Sequence, residues 1–166
     1  MTKRQRKILQ LIDTSGPRLH RLLARLTRRE DAVGDLSQEL FTRLLSSNGF
    51  DEARDPFAYA HRAAVNLAFE WRRARKTTLQ LSEENCPTAD GPSVPGKMIR
   101  AEELEQVLDA TAKLSDLARN VVVMRYIEQA SYEEIARRLD KKPQHVRSVC
   151  AKAMAQLRKL LAGKNQ

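Results

Sequence analysis

Gln144, Arg147, Ser148 and Lys152 stand within about three helical turns of one another near the C-terminal end of the chain. On a helix they share the face opposite Val146, Cys150, Ala153, Leu157 and Leu160, which recur at steps of three and four and define a buried stripe. Arg and Gln are the side chains that fork onto guanine and adenine edges, whereas Lys suits phosphate as a point charge. Taken singly, each is equally compatible with a solvated helix face. What favours a nucleic-acid contact is that Gln144, Arg147 and Ser148 cluster in the first turns, where a recognition helix meets the groove.

Two further faces carry chemistry. Phe57, Ala60, Ala64, Leu67 and Trp71 fall on one helical stripe, so Trp71 reads as a core anchor. Tyr59, Arg62, Asn66 and Arg73 point away from that stripe, where Asn66 can hydrogen-bond a base edge and the arginines can hold phosphate. Earlier in the chain Leu36 and Leu40 point inward, while Asp35, Gln38, Glu39 and Thr42 line the outer face of the same helix. An acidic, amide-bearing face in a basic region suits a protein contact better than DNA.

The elements that must position these residues are helical throughout, and the chain reads as all-α. A first block opens with Ile8, Leu11 and Ile12, meets Gly16-Pro17, where a kink or break is expected, and resumes with Leu19, Leu22, Leu23 and Leu26. Val33, Leu36, Leu40 and Leu44 stripe a second helix from about Asp31. It ends before a turn-rich stretch, Ser46 to Asp55, and Pro56 then opens a third helix that runs to about Lys76. From Thr77 the helical pattern fails, and Cys86-Pro87, Gly91-Pro92 and Pro95-Gly96 supply breakers. The expected organisation is therefore a small helical domain over 1–76, a flexible linker over 77–97 and a second helical domain over 98–166.

In the second domain a helix near Met98 to Lys113 precedes one opened by Ser115. Ser131 with Glu134 forms a capping-box pattern for a short third helix, in which hydroxyl and carboxylate each satisfy a backbone amide. Asp140 to Lys142 make a tight turn, and Pro143 opens the last helix. A short capped helix, a turn and a longer helix have the dimensions of a helix-turn-helix, a corner that also occurs in bundles that never touch DNA. Charge separates those possibilities. Residues 101–136 hold 3 basic against 8 acidic side chains, whereas 137–166 hold 9 against 1, so positive potential gathers on the turn and last helix. The first block is basic too, with 16 against 9 over residues 1–76, and the whole chain carries +9.

Other chemistries find no support. His20, His61 and His145 lie far from one another and from Cys86 and Cys150, in no ligand spacing, so no metal or other cofactor is expected. There is no Gly-rich phosphate loop, no acidic metal cluster and no Ser or Cys with a His at a motif spacing, which argues against an enzyme. Both thiols are expected to be reduced. No stretch approaches the ~20 apolar residues of a bilayer span, and the basic start Met1 to Lys7 is not followed by a signal-type run, so no membrane partner and a cytoplasmic location are expected.

Asp35-Leu36-Ser37-Gln38-Glu39-Leu40-Phe41 resembles the core-binding helix of extracytoplasmic-function sigma factors, in which a closely similar string docks on the clamp helices of the RNA polymerase β′ subunit. Pro56 to Ala68, followed by Trp71-Arg72-Arg73-Ala74-Arg75-Lys76, is similar to that family's promoter-melting and minus-ten-reading helix. Leu114-Ser115 through Arg125-Tyr126, with Ser131 to Ala136, is similar to its minus-thirty-five domain. The matches cover both blocks in the right order. Asp140 stands where the family usually has Gly, and Val149 where a basic residue is common.

The resemblance implies a subunit that binds core RNA polymerase and promoter DNA and is often restrained by an anti-sigma factor. It also implies capture of an unstacked minus-ten base between the third helix and the Ser47 to Asp55 loop, for which Asn66 and Asn48 are the candidate partners. A captured base forfeits stacking and pairing worth a few kcal/mol, so such a pocket needs hydrogen-bonding groups. The competing reading is a stand-alone helix-turn-helix regulator that dimerises through its first block, and the outer face from Asp35 to Thr42 is the feature it leaves unexplained.

Overall fold

The computed structural model describes residues 1–81 and 95–163. Among these the chain forms eight α-helices: α1 (Lys3–Thr27), α2 (Glu30–Ser46), α3 (Asn48–Glu52), α4 (Pro56–Leu81), α5 (Pro95–Thr111), α6 (Asp116–Val122), α7 (Tyr132–Leu139) and α8 (Pro143–Ala162). A π-helical turn, Val123–Ile127, continues α6. No strand occurs among the described residues.

The break expected at Gly16 is absent, and α1 is one helix with Pro17 inside it. Ile8 and Leu11 are buried with Leu19, Leu22, Leu23 and Leu26 in one core. Eleven residues separate Ile8 from Leu19, which is about three turns, so the stripe stays in phase across the proline and packing outweighs the lost amide. The N-terminus of α1 is held by a reciprocal cap: Thr2 Oγ1 accepts from the Gln5 amide at 3.2 Å, and the Gln5 side chain accepts from the Thr2 amide at 2.8 Å. Such a cap contributes about 1 kcal/mol.

α1 packs against α2 and α4. Val33, Leu36, Leu40 and Leu44 are all buried, as are Ala60, Ala64 and Leu67 of α4. Trp71, however, is only half-buried, and the large anchor of α4 is Phe69, which is fully enclosed with Val65 and Ala68. α4 also runs past Lys76 to Leu81. Thr77 and Thr78 hydrogen-bond the carbonyls of Arg73 and Ala74 at 3.1 and 3.0 Å, which satisfies their hydroxyls without leaving the helix. Of the expected linker, residues 82–94 lie outside the described residues, and 95–97 begin α5. The turn-rich stretch after α2 contains α3, capped by Ser47 Oγ, which accepts from the Phe50 amide at 3.2 Å.

In the second block Ser115 caps α6 and Ser131 caps α7. The Glu134 carboxylate does not complete a reciprocal box. It pairs with Arg138 at 2.8 Å and Arg137 at 3.4 Å, since a guanidinium one turn on is a stronger partner than a backbone amide. Asp140 ends α7 in the left-handed region at φ 54, the conformation for which Gly is the usual choice and Asp a tolerated one. Pro143 begins α8, whose Val146, Cys150, Ala153 and Leu157 are buried with Leu160 partly so.

The two blocks share a core. Leu108 and Ala112 of α5 and Val123 are enclosed in the same apolar cluster as α1, α2 and α4. α6 lies against both α8 and α4, so it joins the DNA-candidate helices of the two blocks.

Candidate nucleic-acid and polymerase interfaces

On α2, burial of Leu36 and Leu40 forces Asp35, Gln38, Glu39 and Thr42 outward, and all four are exposed. Thr42 Oγ1 returns to the Gln38 carbonyl at 2.8 Å, and Arg43 Nε holds Glu39 at 2.8 Å. Arg43 also forks onto Glu70 of α4 at 3.0 and 3.1 Å, which fixes α2 against α4. That hydrogen bond outweighs burial and holds the Glu70 carboxyl below the usual carboxylate range. The face is thus rigid in backbone and open to solvent.

On α8, Gln144, Arg147, Ser148 and Lys152 are exposed together on one side, as the stripe requires. Arg147 lies 3.0 Å from Glu133 and over the Tyr132 ring at 5.5 Å, so α7 presets its guanidinium. Val149 is half-buried and takes no part in that outer face.

The α4 residues are arranged differently. Tyr59, Arg62 and Asn66 line a cleft of about 420 Å³ whose far wall is Asp116, Leu117, Asn120, Leu139 and Lys141 of the second block. Asn66 Oδ1 accepts from Asn120 Nδ2 at 3.3 Å and from Arg119 Nη1 at 3.4 Å. Arg73 donates to the Ala112 carbonyl at 2.8 Å. Tyr59 hydrogen-bonds Ser47 at 2.7 Å, and a Cβ at Gly49 would lie 2.8 Å from the Tyr59 hydroxyl, so any other residue there has to displace the Tyr59 ring. Asn48 is not brought into the cleft. It is exposed, and its side-chain oxygen accepts from Arg4 at 3.1 Å, beside the Arg4–Asp51 pair.

Several residues of this surface escape sequence reading. His61 is buried and meets Glu128 from the second block, while Arg18 and Arg138 flank the same carboxylate at 3.9 and 3.6 Å. Burial pushes the Glu128 carboxyl up, but the His61 hydrogen bond and the charges of His61, Arg138 and Arg18 outweigh it and hold it below its ordinary value. Arg72 is buried against Glu105 and Asp109, and Arg119 against the carbonyls of Ala112 and Leu114. Buried Arg and His on otherwise apolar helix faces are the one signal that pointed to partners elsewhere in the chain. No group of His, Cys, Asp and Glu among the described residues is arranged to hold a metal ion.

The sigma-70 region 2 family model matches residues 11–78, and the sigma-70 region 4 model matches residues 110–159, in that order. An RNA polymerase sigma-E factor of Streptomyces avermitilis is 32% identical over 132 residues, covering 79% of this chain and 72% of that protein. The chain belongs to the extracytoplasmic-function family of RNA polymerase sigma factors.

This sigma factor is also 34% identical over 110 residues to a sigma-E factor of Streptomyces coelicolor, a match covering 65% of this chain and 59% of that protein. It is 26% identical over 136 residues to the ECF RNA polymerase sigma factor SigW of Bacillus subtilis, covering 75% and 73%. Its fold is that of two solved structures. CnrH, in complex with the cytosolic domain of CnrY, gives a TM-score of 0.52 at 21% identity, covering 96% of this chain and 90% of that one. RpoE, in complex with the anti-sigma factor NepR from Bartonella quintana, gives 0.51 at 19% identity, covering 93% and 96%. No described helix of the sigma factor is long and apolar enough to cross a membrane.

Proposed function

We propose that three separate faces of this sigma factor divide promoter recognition among them. The α2 face of Asp35, Gln38, Glu39 and Thr42 docks on the β′ clamp helices of core RNA polymerase. The α4 face of Tyr59, Arg62, Asn66 and Arg73 engages the minus-ten strand, with Asn48 recruited from the start of α3. The first turns of α8, with Gln144, Arg147, Ser148 and Lys152, read the minus-thirty-five element in the major groove. In this reading residues 1–76 are the polymerase and minus-ten domain, 98–166 the minus-thirty-five domain and 77–97 the connector. The chain works in the cytoplasm by binding and positioning, and catalyses nothing itself. An anti-sigma factor is its expected inhibitor, a reading supported by one solved neighbour, RpoE, being in complex with one.

The observation that carries this reading is on α2: Gln38 and Glu39 stand exposed on a helix whose opposite side is core, while the second block meets α1 through Arg25 and Arg28 and α4 through Arg73. A stand-alone regulator has no use for that face. Co-sedimentation of core polymerase with the Gln38→Ala/Glu39→Ala variant tests it. Core affinity falls while the helical content stays unchanged, whereas unchanged affinity removes this face from the account.

A further inference from the structure

Of the cations in the first two turns of α1, Lys3 and Arg6 are exposed, whereas Arg4 and Lys7 are half-buried against a segment more than forty residues away. Lys7 Nζ donates to the carbonyls of Phe50 at 2.6 Å and of Asp51 and Ala53 at 3.1 Å, and it lies 4.9 Å over the Phe50 ring. Arg4 donates to the Leu45 carbonyl at 2.6 Å and to Asn48 Oδ1 at 3.1 Å, and it pairs with Asp51. α1 thus grips both ends of α3 and the end of α2 that precedes it.

α3 depends on such a grip. A helix of 5 residues is far too short to hold in water by itself, and the last carbonyls of any helix lack partners within it. An ammonium at that end supplies donors to those carbonyls and meets the negative end of the helix dipole. The remaining anchors are Phe50, enclosed in the core, and Ser47, which caps α3 and holds the Tyr59 hydroxyl. What the grip positions is Asn48, together with Gly49, Ala53 and Asp55, which with Tyr59 and Arg62 of α4 wall one side of a cavity of about 680 Å³. A guanidinium only donates, so Arg4 takes the Asn48 oxygen and leaves the Asn48 amide donors for another partner.

We propose that Arg4 and Lys7 are positioning residues for base capture: from α1 they lock α3, and with it Asn48 and the cavity wall, into the shape that receives the unpaired minus-ten base. This rests on the reading that α4 and the segment before it take such a base. Neither cation touches DNA in this role. Their effect is preorganisation, since a wall held in place beforehand loses less freedom when the base enters. The clamp therefore strengthens binding of a strand that has the base and does little for a strand that lacks it. Loss of a phosphate contact, by contrast, weakens binding of both strands alike.

The test uses holoenzyme assembled with the full chain, and a labelled single strand from the minus-ten region of a promoter that it transcribes. An abasic site is placed at each position of that strand in turn, and fluorescence anisotropy gives the ratio of affinities for intact and abasic strands. Wild-type holoenzyme is expected to lose about tenfold or more at one position. Lys7→Met keeps the stem over Phe50 and removes only the ammonium, and Arg4→Gln removes the guanidinium; in each the ratio at that position is expected to fall to about twofold or less. Lys3→Met, which removes an equal charge from an exposed position of α1, is expected to keep the wild-type ratio. Circular dichroism and urea unfolding report the fold, and if Lys7→Met does not fold, Arg4→Gln decides. An unchanged ratio in a folded Lys7→Met or Arg4→Gln variant overturns the clamp while base capture stands, and so does an equal loss in Lys3→Met. A wild-type holoenzyme indifferent to every abasic site overturns base capture itself, and the clamp with it.

Discussion

Asn66 on α4 gives its side-chain oxygen to Asn120 on α6 at 3.3 Å, across the boundary between the two blocks. The same oxygen is the group best placed to meet a base edge, and Asn120 and Arg119 supply amide and guanidinium donors to it. Replacing Asn66 with Ala therefore removes the proposed base contact in the holoenzyme, while replacing Asn120 with Ala removes its partner in the free chain together with the Asn120 bond to the Asp116 carbonyl. Abortive initiation should fall for Asn66→Ala, by an amount corresponding to about 1–3 kcal/mol for one lost base-edge pairing. Asn120→Ala holoenzyme should initiate at the wild-type level.

The Glu128 carboxyl, buried against His61 with Arg18 and Arg138 beside it, is held below its ordinary value of 4.5. A carboxylate depressed on folding stabilises the native arrangement fully above its unfolded value and loses that contribution as pH falls through the lower folded value. Arg21 and Arg25 of α1 line the same pocket. Thermal melts taken between about pH 7 and about pH 3 should show the wild-type chain losing more stability on acidification than Glu128→Gln. Parallel losses in the two chains would mean that this pair does not govern the acid response.

Phe69 is the enclosed anchor of the first block. Phe69→Ala should cost about 3–5 kcal/mol in urea unfolding, whereas Trp71→Ala, at a half-buried site on the same helix, should cost less. A larger loss for Trp71 would reverse that assignment.

Much of this was legible before the fold was known. The α2 and α8 stripes, the Ser115 and Ser131 caps and the Pro143 start rest on interactions within a few residues, where spacing alone decides. The continuity of α1 was not, because whether Gly16-Pro17 breaks a helix depends on the core that its two halves bury together. The placement of Asn66 was legible as outward from the α4 stripe, yet outward there means against α6, a contact more than fifty residues away in sequence. His61 and Arg72 belong to the same class: their carboxylate partners, Glu128 and Glu105 with Asp109, lie in the second block. Gly49 was invisible because its requirement comes from the Tyr59 hydroxyl, not from a turn.

On α8 the exposed Arg147 and Lys152 should separate base reading from charge. With Arg147 forked onto a guanine edge, Arg147→Ala costs about 1–3 kcal/mol and relaxes preference at one or two minus-thirty-five positions. Lys152→Ala weakens binding evenly on all sequences and reduces the salt slope by about one unit. Holoenzyme binding to matched and mismatched elements at two salt concentrations checks both. Uniform weakening by both substitutions would make Arg147 a backbone contact.

Run-off transcription with core RNA polymerase over a promoter library tests the central claim most directly. The account predicts transcripts that appear only when the chain is added, that start at a fixed distance from a shared pair of upstream elements, and that are lost with the Gln38→Ala/Glu39→Ala variant. Transcripts identical to those of core polymerase alone, with the chain bound only to duplex DNA, would contradict it.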